Sequence, residues 1–133
     1  MRLREIQDSA FNVYTVITCK GPPEGDAVKV REEIEIHCDE GMDAVLAWMD
    51  YVPVISYEKT RSNWDFDGCV VSIDYVPELG SFLEIEGETK EDVESVIELL
   101  GIKEEPELKS FKEIVSKYCE EHSLTELKFR RRK

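Results

Sequence analysis

Residues 69–86 read CVVSIDYVPELGSFLEIE, and the fold class can be predicted from them. The first eight residues are rich in β-branched side chains, a turn-like Pro-Glu-Leu-Gly follows, and the last six alternate apolar with acidic residues. Two strands joined by so short a turn pair in antiparallel fashion. The stretch therefore predicts a hairpin in which Glu84 and Glu86 share one face and apolar side chains occupy the other.

Further strands are predicted on the N-terminal side of this hairpin. Tyr14–Lys20 is rich in β-formers, Val28–Cys38 alternates charged and apolar residues, and a strand at about Val54–Trp64 precedes Cys69. The Asp-Gly pair at residues 67 and 68 is typical of a tight hairpin turn. Most of the chain before residue 87 is therefore predicted to be extended.

The C-terminal third is predicted to be helical. Thr89 with Asp92 approximates a capping box, and Gly101 ends the helix that this box begins. A second amphipathic helix follows Pro106, and a short helix earlier in the chain is predicted to bury an apolar stripe. The residues of these two apolar faces are, respectively, Leu108, Phe111, Val115 and Tyr118, and Met42, Val45, Leu46 and Met49. Strands followed by helices predict an antiparallel α+β domain.

Composition restricts the function. The 133 residues suit one domain, and the formal net charge of −13 repels a phosphate backbone, so we expect no nucleic-acid partner. No apolar stretch reaches the roughly 18 residues of a membrane span, so no membrane partner is expected either. The chain opens without the apolar run of a signal peptide, which predicts a cytoplasmic location. The basic end of the chain is predicted to be a tail.

Charged residues of both signs alternate with apolar residues on strand after strand. One interpretation is an antiparallel sheet with one face in water, which is common. The other is a sheet curled into a barrel of about eight strands, with a polar lumen and helices outside. Clustered cations in such a lumen would bind a polyanion, and clustered carboxylates would hold a divalent cation on its phosphates.

The order and spacing of several motifs resemble the CYTH family of class IV adenylyl cyclases and small triphosphatases. The resemblance covers roughly residues 1–118, and Glu78 stands where the family has the first glycine of its GLG motif. The matching segments are RLR at residues 2–4, KGP at 20–22, KVREEIE at 29–35, KTR at 59–61, DYVPELGSFLEIE at 74–86 and SFKEI at 110–114.

The resemblance implies an eight-stranded triphosphate tunnel over residues 1–120, followed by the basic tail at 121–133. It implies phosphate binding by Arg2, Arg4, Lys20, Lys29, Arg31, Lys59 and Arg61. It implies a magnesium or manganese ion (Mg2+ or Mn2+) held by Glu84 and Glu86, tunnel-lining acids at Glu33 and Glu35, and catalytic roles for Glu84, Asp74 and Lys59. The implied small-molecule partner is ATP or tripolyphosphate, and the protein could also associate into a homo-oligomer.

Two functions are compatible with the resemblance. The first is metal-dependent cleavage of a triphosphate, either cyclase-like, from ATP to cyclic AMP and pyrophosphate, or as a nucleoside or inorganic triphosphatase. The second is a non-catalytic module that binds triphosphate or polyphosphate. The family opens with an ExExK strand that contributes to its metal site, whereas this sequence starts at the RxR strand. We therefore expect an incomplete barrel here, which is the reason for keeping the second function.

Overall fold

The structure is a computed structural model that describes residues 1–22, 32–107 and 109–129. The strands are β1 (Arg2–Gln7), β2 (Val13–Lys20), β3 (Glu33–Cys38), β4 (Ser56–Tyr57), β5 (Thr60–Phe66), β6 (Cys69–Val76), β7 (Gly80–Glu86) and β8 (Glu126–Leu127). The helices are α1 (Met42–Trp48), α2 (Lys90–Leu99) and α3 (Phe111–His122). The predicted beginning of the strand from Val28 and the apolar Leu108 lie outside the described residues.

The described residues up to Pro53 form one unit, and those from Val54 onwards form another. The first unit holds an antiparallel sheet in the order β1-β2-β3 and the helix α1. The second holds an antiparallel sheet in the order β5-β6-β7, a short parallel pair of β4 with β8, and the helices α2 and α3. The antiparallel α+β class is confirmed. No closed barrel is seen among the described residues.

A side-chain turn joins β1 to β2 in the first unit. The Asp8 carboxylate accepts hydrogen bonds from the backbone N–H groups of Ala10 and Asn12, at 2.8 and 2.9 Å, and from the Asn12 side-chain amide at 2.9 Å. These bonds stabilise the charged form, so they lower the pKa of Asp8 below its ordinary value. The turn sets the register in which Arg4 lies opposite Val16 and Arg2 opposite Thr18.

The prediction of a buried apolar stripe on the short helix was wrong. Helix α1 forms at the predicted place, but none of its residues is buried, and Val45 and Met49 are exposed. Regular spacing gathers apolar side chains on one face of a helix, but burial requires another element to cover that face.

Both turns of the β5-β6-β7 sheet adopt the conformations that their residues favour or tolerate. Asp67 and Gly68 have φ values of 48° and 78°, the left-handed pair expected of a two-residue hairpin. In the β6–β7 turn the Leu79 N–H donates to the Val76 carbonyl at 3.2 Å, and Glu78 has a φ of 67°. A proline followed by a residue with positive φ is the arrangement of a type II turn, whose third position favours glycine.

Opposite faces of the β5-β6-β7 sheet pack against different helices. Cys69 and Val71 of β6 form a core cluster with Val93 and Val96 of α2. On the other face of β6, Val76 packs in a second cluster with residues of α3 and β8. Because side chains alternate along a strand, the residues of β6 that share a face with Val76 are Ser72 and Asp74.

Both long helices begin at capping boxes. The Thr89 hydroxyl accepts from the Asp92 N–H as predicted, and the Ser110 hydroxyl accepts from the Glu113 N–H in the same way. Gly101, with a φ of 66°, follows the end of α2. The longest described helix, α3, has 12 residues, and no helix in the described ranges is long and apolar enough to cross a membrane.

Strand β8 was not predicted. It pairs with β4 in parallel, Leu127 is buried, and the Glu58 carboxylate accepts from the Phe129 N–H at 2.9 Å. The packed structure therefore extends beyond the predicted domain boundary at residue 120, because apolar burial at Leu127 holds this segment in place. Residues 130–133 of the predicted tail lie outside the described part of the chain.

Gly87 lies where β7 meets α2, and the space around it admits no side chain. A Cβ atom at this position would lie 2.7 Å from the Cys69 sulfur and 3.1 Å from the Val93 Cγ2. Both neighbours belong to the core cluster under α2, so neither moves without disturbing that packing.

We expect Gly87→Ala to lower the free energy of unfolding by about 1–3 kcal/mol, the usual cost of overpacking a core. Chemical denaturation monitored by circular dichroism measures this change. Gly21→Ala is the control, because its nearest contact would be an ordinary 3.5 Å from the Glu32 carbonyl oxygen. Adding Cys69→Ala to Gly87→Ala should recover part of the loss, and purely additive effects of the two substitutions would contradict the proposed clash.

Candidate functional site

Each unit of the structure carries a cluster of charged side chains on one face of its sheet. The first, which we call the β5–β7 cluster, consists of Lys59, Arg61, Asp74, Glu84 and Glu86. The second, which we call the β1–β3 cluster, consists of Arg2, Arg4, Lys20, Glu33 and Glu35. All ten residues were predicted to be site residues.

Asp74 is at the centre of the β5–β7 cluster. Its side chain is 0% exposed, and Lys59 Nζ donates to its Oδ2 at 2.5 Å. Arg61 donates twice to the same carboxylate, from Nε to Oδ1 at 2.6 Å and from Nη2 to Oδ2 at 2.7 Å. A buried carboxylate is tolerated only when it is paired and hydrogen-bonded, and this fork of two donors is the strong form of such a pair.

Arg61 connects Asp74 to the acidic strand β7. Its Nη2 also donates to the Glu84 carboxylate, and its Nη1 lies 3.9 Å from Glu86 Oε1. The convergence follows from the register, since Arg61 lies opposite Asp74 on β6 and Glu84 lies opposite Ser72, two residues away on the same face. Glu84 and Glu86 therefore lie on one face, as predicted, and Arg61 pairs with both on that face.

The site is tied to α3 through Lys59. The Lys59 ammonium lies 4.8 Å from the centroid of the Phe111 ring, which is close enough for a cation–π contact. Phe111 begins α3, and its ring meets Phe82 of β7 edge to face with the ring centroids 5.1 Å apart. The helix therefore supports the position of one of the two cations that hold Asp74.

Ser72 belongs to this face and was missed by the sequence analysis. Its side chain is 0% exposed, and its hydroxyl has no hydrogen-bond partner in residues 1–22, 32–107 and 109–129. It lies directly opposite Asn63 on one side and Glu84 on the other. The only signal in the sequence is a serine two positions before Asp74 in an otherwise apolar strand, which places it on the same face.

Arg4, Thr18 and Glu35 form the centre of the β1–β3 cluster. Arg4 Nη2 donates to the Thr18 hydroxyl at 2.8 Å and also to the Glu35 carboxylate. The Thr18 hydroxyl in turn donates to Glu35 at 3.1 Å. Thr18 is 1% exposed and was not predicted to be part of the site.

The other members of the β1–β3 cluster lie beside this centre. Lys20 Nζ lies 2.5 Å from Glu33 Oε2, and Arg2 lies opposite Thr18. The Nε of Arg2 is buried and has no hydrogen-bond partner in the described part of the chain. Lys20 at the end of β2 and Glu33 at the start of β3 therefore lie on the same face of the sheet as Arg4 and Glu35. The predicted phosphate ligands Lys29 and Arg31 lie outside the described residues.

The carboxylates of the β5–β7 cluster fit a metal ion that is also bound by substrate phosphates and water, rather than one held by protein ligands alone. No set of three or more His, Cys, Asp or Glu side chains arranged to hold a metal occurs in the described ranges. Glu84 and Glu86 nevertheless offer oxygen ligands on one face, and magnesium is often bound by one or two carboxylates together with substrate phosphates and water. Within the described residues, the fully buried hydroxyl of Ser72 opposite Glu84 has no hydrogen-bond partner, so this face keeps a donor that is not in use.

Comparison with known proteins identifies the family of this chain. A family model described as the CYTH domain matches residues 1–118. The search of curated proteins found no match. The matched range includes both charge clusters in full. Since it covers 118 of the 133 residues, the chain belongs to the CYTH family, whose members in general bind triphosphates and depend on a metal ion.

Proposed function

We propose that this protein binds a triphosphate together with a divalent metal ion and cleaves it. The observation that carries this proposal is the sharing of Arg61 between the buried Asp74 and Glu84. Phosphoryl and nucleotidyl transfer need cations to bind the phosphates and carboxylates to hold a metal, within reach of each other. The β5–β7 cluster provides both within one sheet.

Lys59 and Arg61 would bind the phosphates in this proposal. Asp74 holds both cations at fixed positions, with Lys59 Nζ at 2.5 Å and Arg61 Nε at 2.6 Å. Arg61 would then exchange its bond to Glu84 for a phosphate oxygen while keeping its fork on Asp74. Such preorganised cations stabilise charge that develops on the phosphates without having to reorganise during the reaction.

Glu84, released by Arg61, would hold the metal ion together with Glu86. When bound, magnesium or manganese supplies charge neutralisation at the phosphate oxygens. The charge balance of the β5–β7 cluster supports the need for a metal ion, because among the described residues its three carboxylates are paired with two cations, Lys59 and Arg61. A polyanion alone would meet net repulsion, and a divalent cation reverses it.

The reaction is proposed to be that of a class IV adenylyl cyclase, with a nucleoside or inorganic triphosphatase as the second possibility. The two differ in the nucleophile, which is the ribose 3′-hydroxyl in the cyclase and water in the hydrolase. The phosphate contacts proposed for Lys59 and Arg61 would serve both reactions. Phosphate contacts from Arg2, Arg4, Lys20, Lys29 and Arg31 and tunnel-lining roles for Glu33 and Glu35 stay predictions, as does the choice of metal.

The second candidate function is a module that binds triphosphate or polyphosphate without turnover. One observation favours it. Arg61 is bonded to Glu84, and Glu84 and Glu86 are the two carboxylates that the described β5–β7 cluster offers to a metal. If Arg61 does not leave Glu84, no metal site forms in this cluster, and phosphate binding would then rest on the cations of the β1–β3 cluster.

Product analysis separates these functions. The protein is incubated with ATP and, separately, with tripolyphosphate, each with magnesium or manganese, and the products are identified by chromatography. Cyclic AMP with pyrophosphate indicates the cyclase, and released phosphate indicates the triphosphatase. Binding of either compound without any product would reject cleavage and support the second candidate, the binding module.

Tripolyphosphate with magnesium should raise the melting temperature by roughly 10 °C. A ligand at a hundredfold excess over its dissociation constant stabilises the folded state by about 2.7 kcal/mol, which corresponds to a shift of this size in a domain of this length. Differential scanning calorimetry measures the shift, with sulfate at equal ionic strength as the control. An unchanged melting temperature would count against both candidate functions.

Glu84→Gln should reduce turnover by about two orders of magnitude or more, because it removes one charge from the proposed metal ligands. The melting temperature should change little, since the substitution keeps volume and polarity. Glu94→Gln is the matched control, because Glu94 also pairs with a cation, Lys90, at 3.4 Å, but on the surface of α2. Turnover by Glu84→Gln equal to that of the control would remove Glu84 from the site.

A further inference from the structure

We propose that the Ser72 hydroxyl positions the Glu84 carboxylate for metal binding once Arg61 has turned to a phosphate. The inference rests on the proposed function and adds a positioning residue to it. Ser72 touches neither substrate nor metal in this proposal. It acts by a hydrogen bond on the carboxylate that does.

The first observation is the unsatisfied state of Ser72. Its side chain is completely buried and its hydroxyl finds no hydrogen-bond partner among the residues that the structure describes, although a buried hydroxyl without one is costly. Native structures leave few such groups, and those that remain often mark a functional site. A partner that arrives in another state of the site would account for the serine.

The second observation is the position of Ser72 relative to Glu84. The two are direct partners across the β6–β7 pair, so their side chains leave the same face of the sheet. Directly opposite residues in an antiparallel pair have Cβ atoms about 4.5–5.5 Å apart, which is within reach of a serine hydroxyl and a glutamate carboxylate. No rearrangement of the backbone is needed for the bond.

The third observation is the corresponding arrangement in the other sheet. There too a buried hydroxyl on the central strand, Thr18, lies directly opposite a glutamate, Glu35, that is paired with an arginine of the first strand. In that sheet the bond is made, since the Thr18 hydroxyl donates to Glu35 at 3.1 Å. The protein itself therefore provides an example of the bond proposed for Ser72.

The proposed sequence of events is an exchange of hydrogen bonds. In the structure Arg61 donates to the Glu84 carboxylate, and the Ser72 hydroxyl makes no hydrogen bond to any described residue. When Arg61 turns to a phosphate, Glu84 loses its donor and the Ser72 hydroxyl supplies one. The bond fixes the orientation of the carboxylate and leaves its other oxygen for the metal. Groups of this kind, which orient a metal ligand without touching the metal, typically affect metal affinity 10- to 100-fold.

The test measures metal affinity separately from turnover. Mn²⁺ binding is followed by electron paramagnetic resonance in the presence of a methylene-bridged triphosphate, which resists hydrolysis, and binding of the same compound without metal is followed by calorimetry. The variants are Ser72→Ala, Ser72→Thr, and Ser62→Ala as the matched control. Ser62 lies on the neighbouring strand opposite Ile73, so its side chain is on the other face.

We expect Ser72→Ala to weaken Mn²⁺ binding about 10-fold or more, with metal-free binding of the analogue within twofold of the wild type. The melting temperature should stay equal or rise, because no existing hydrogen bond is lost. Ser72→Thr should restore the Mn²⁺ affinity, since Thr18 shows that a threonine fits the corresponding place in the other sheet.

Unchanged Mn²⁺ affinity in Ser72→Ala would overturn the inference. If Ser72→Ala lowers the melting temperature and the Mn²⁺ affinity together, recovery of that affinity in Ser72→Thr supports the inference and continued weakness overturns it. Failure of the proposed function is recognised separately, because the wild-type protein would then bind neither the analogue nor Mn²⁺ with it.

Discussion

The carboxylate of Asp74 constrains the sheet around it. Held completely out of water, it is stable only while two cations satisfy it, and removing either partner would leave a buried, uncompensated charge. Lys59 and Arg61 are therefore fixed in place, Lys59 is held over the ring that begins α3, and Arg61 is aimed at β7. One ionic interaction thus serves the packing of the unit and the geometry of the candidate site.

The acidity of the chain is compatible with a polyanionic ligand because the charges are arranged locally. The net charge of −13 makes long-range attraction of phosphates unfavourable, yet in both clusters cations lie directly against carboxylates. Such neutral pairs attract little from a distance. In the proposed function they separate at contact, so that the cation would bond a phosphate and the carboxylate a metal. Under that proposal, the arrangement would favour a metal-bound ligand over the free anion.

Local chemistry explains what could be predicted from the sequence. The Asp-Gly turn, the capping box at Thr89 and the shared face of Glu84 and Glu86 depend on neighbouring residues and on strand alternation, and all three were predicted. The exposure of α1, the two-residue parallel pairing of β8 and the bond from Arg61 to Glu84 depend on distant contacts. Alternation gives the face of a side chain but not its partner, so Ser72 was missed although its face could have been read.

The turn between β6 and β7 shows which kinds of sequence change this family member tolerates. Glu78 adopts a backbone conformation suited to glycine, and the turn nevertheless closes with its Leu79-to-Val76 hydrogen bond. An inserted or deleted residue would be far more damaging. It would shift β7 by one position against β6 and turn Glu84 and Glu86 toward α2, in exchange for Leu83 and Ile85. In related chains we therefore expect substitutions in this turn. Insertions and deletions should be confined to connections whose length does not set the register of a strand that carries site residues.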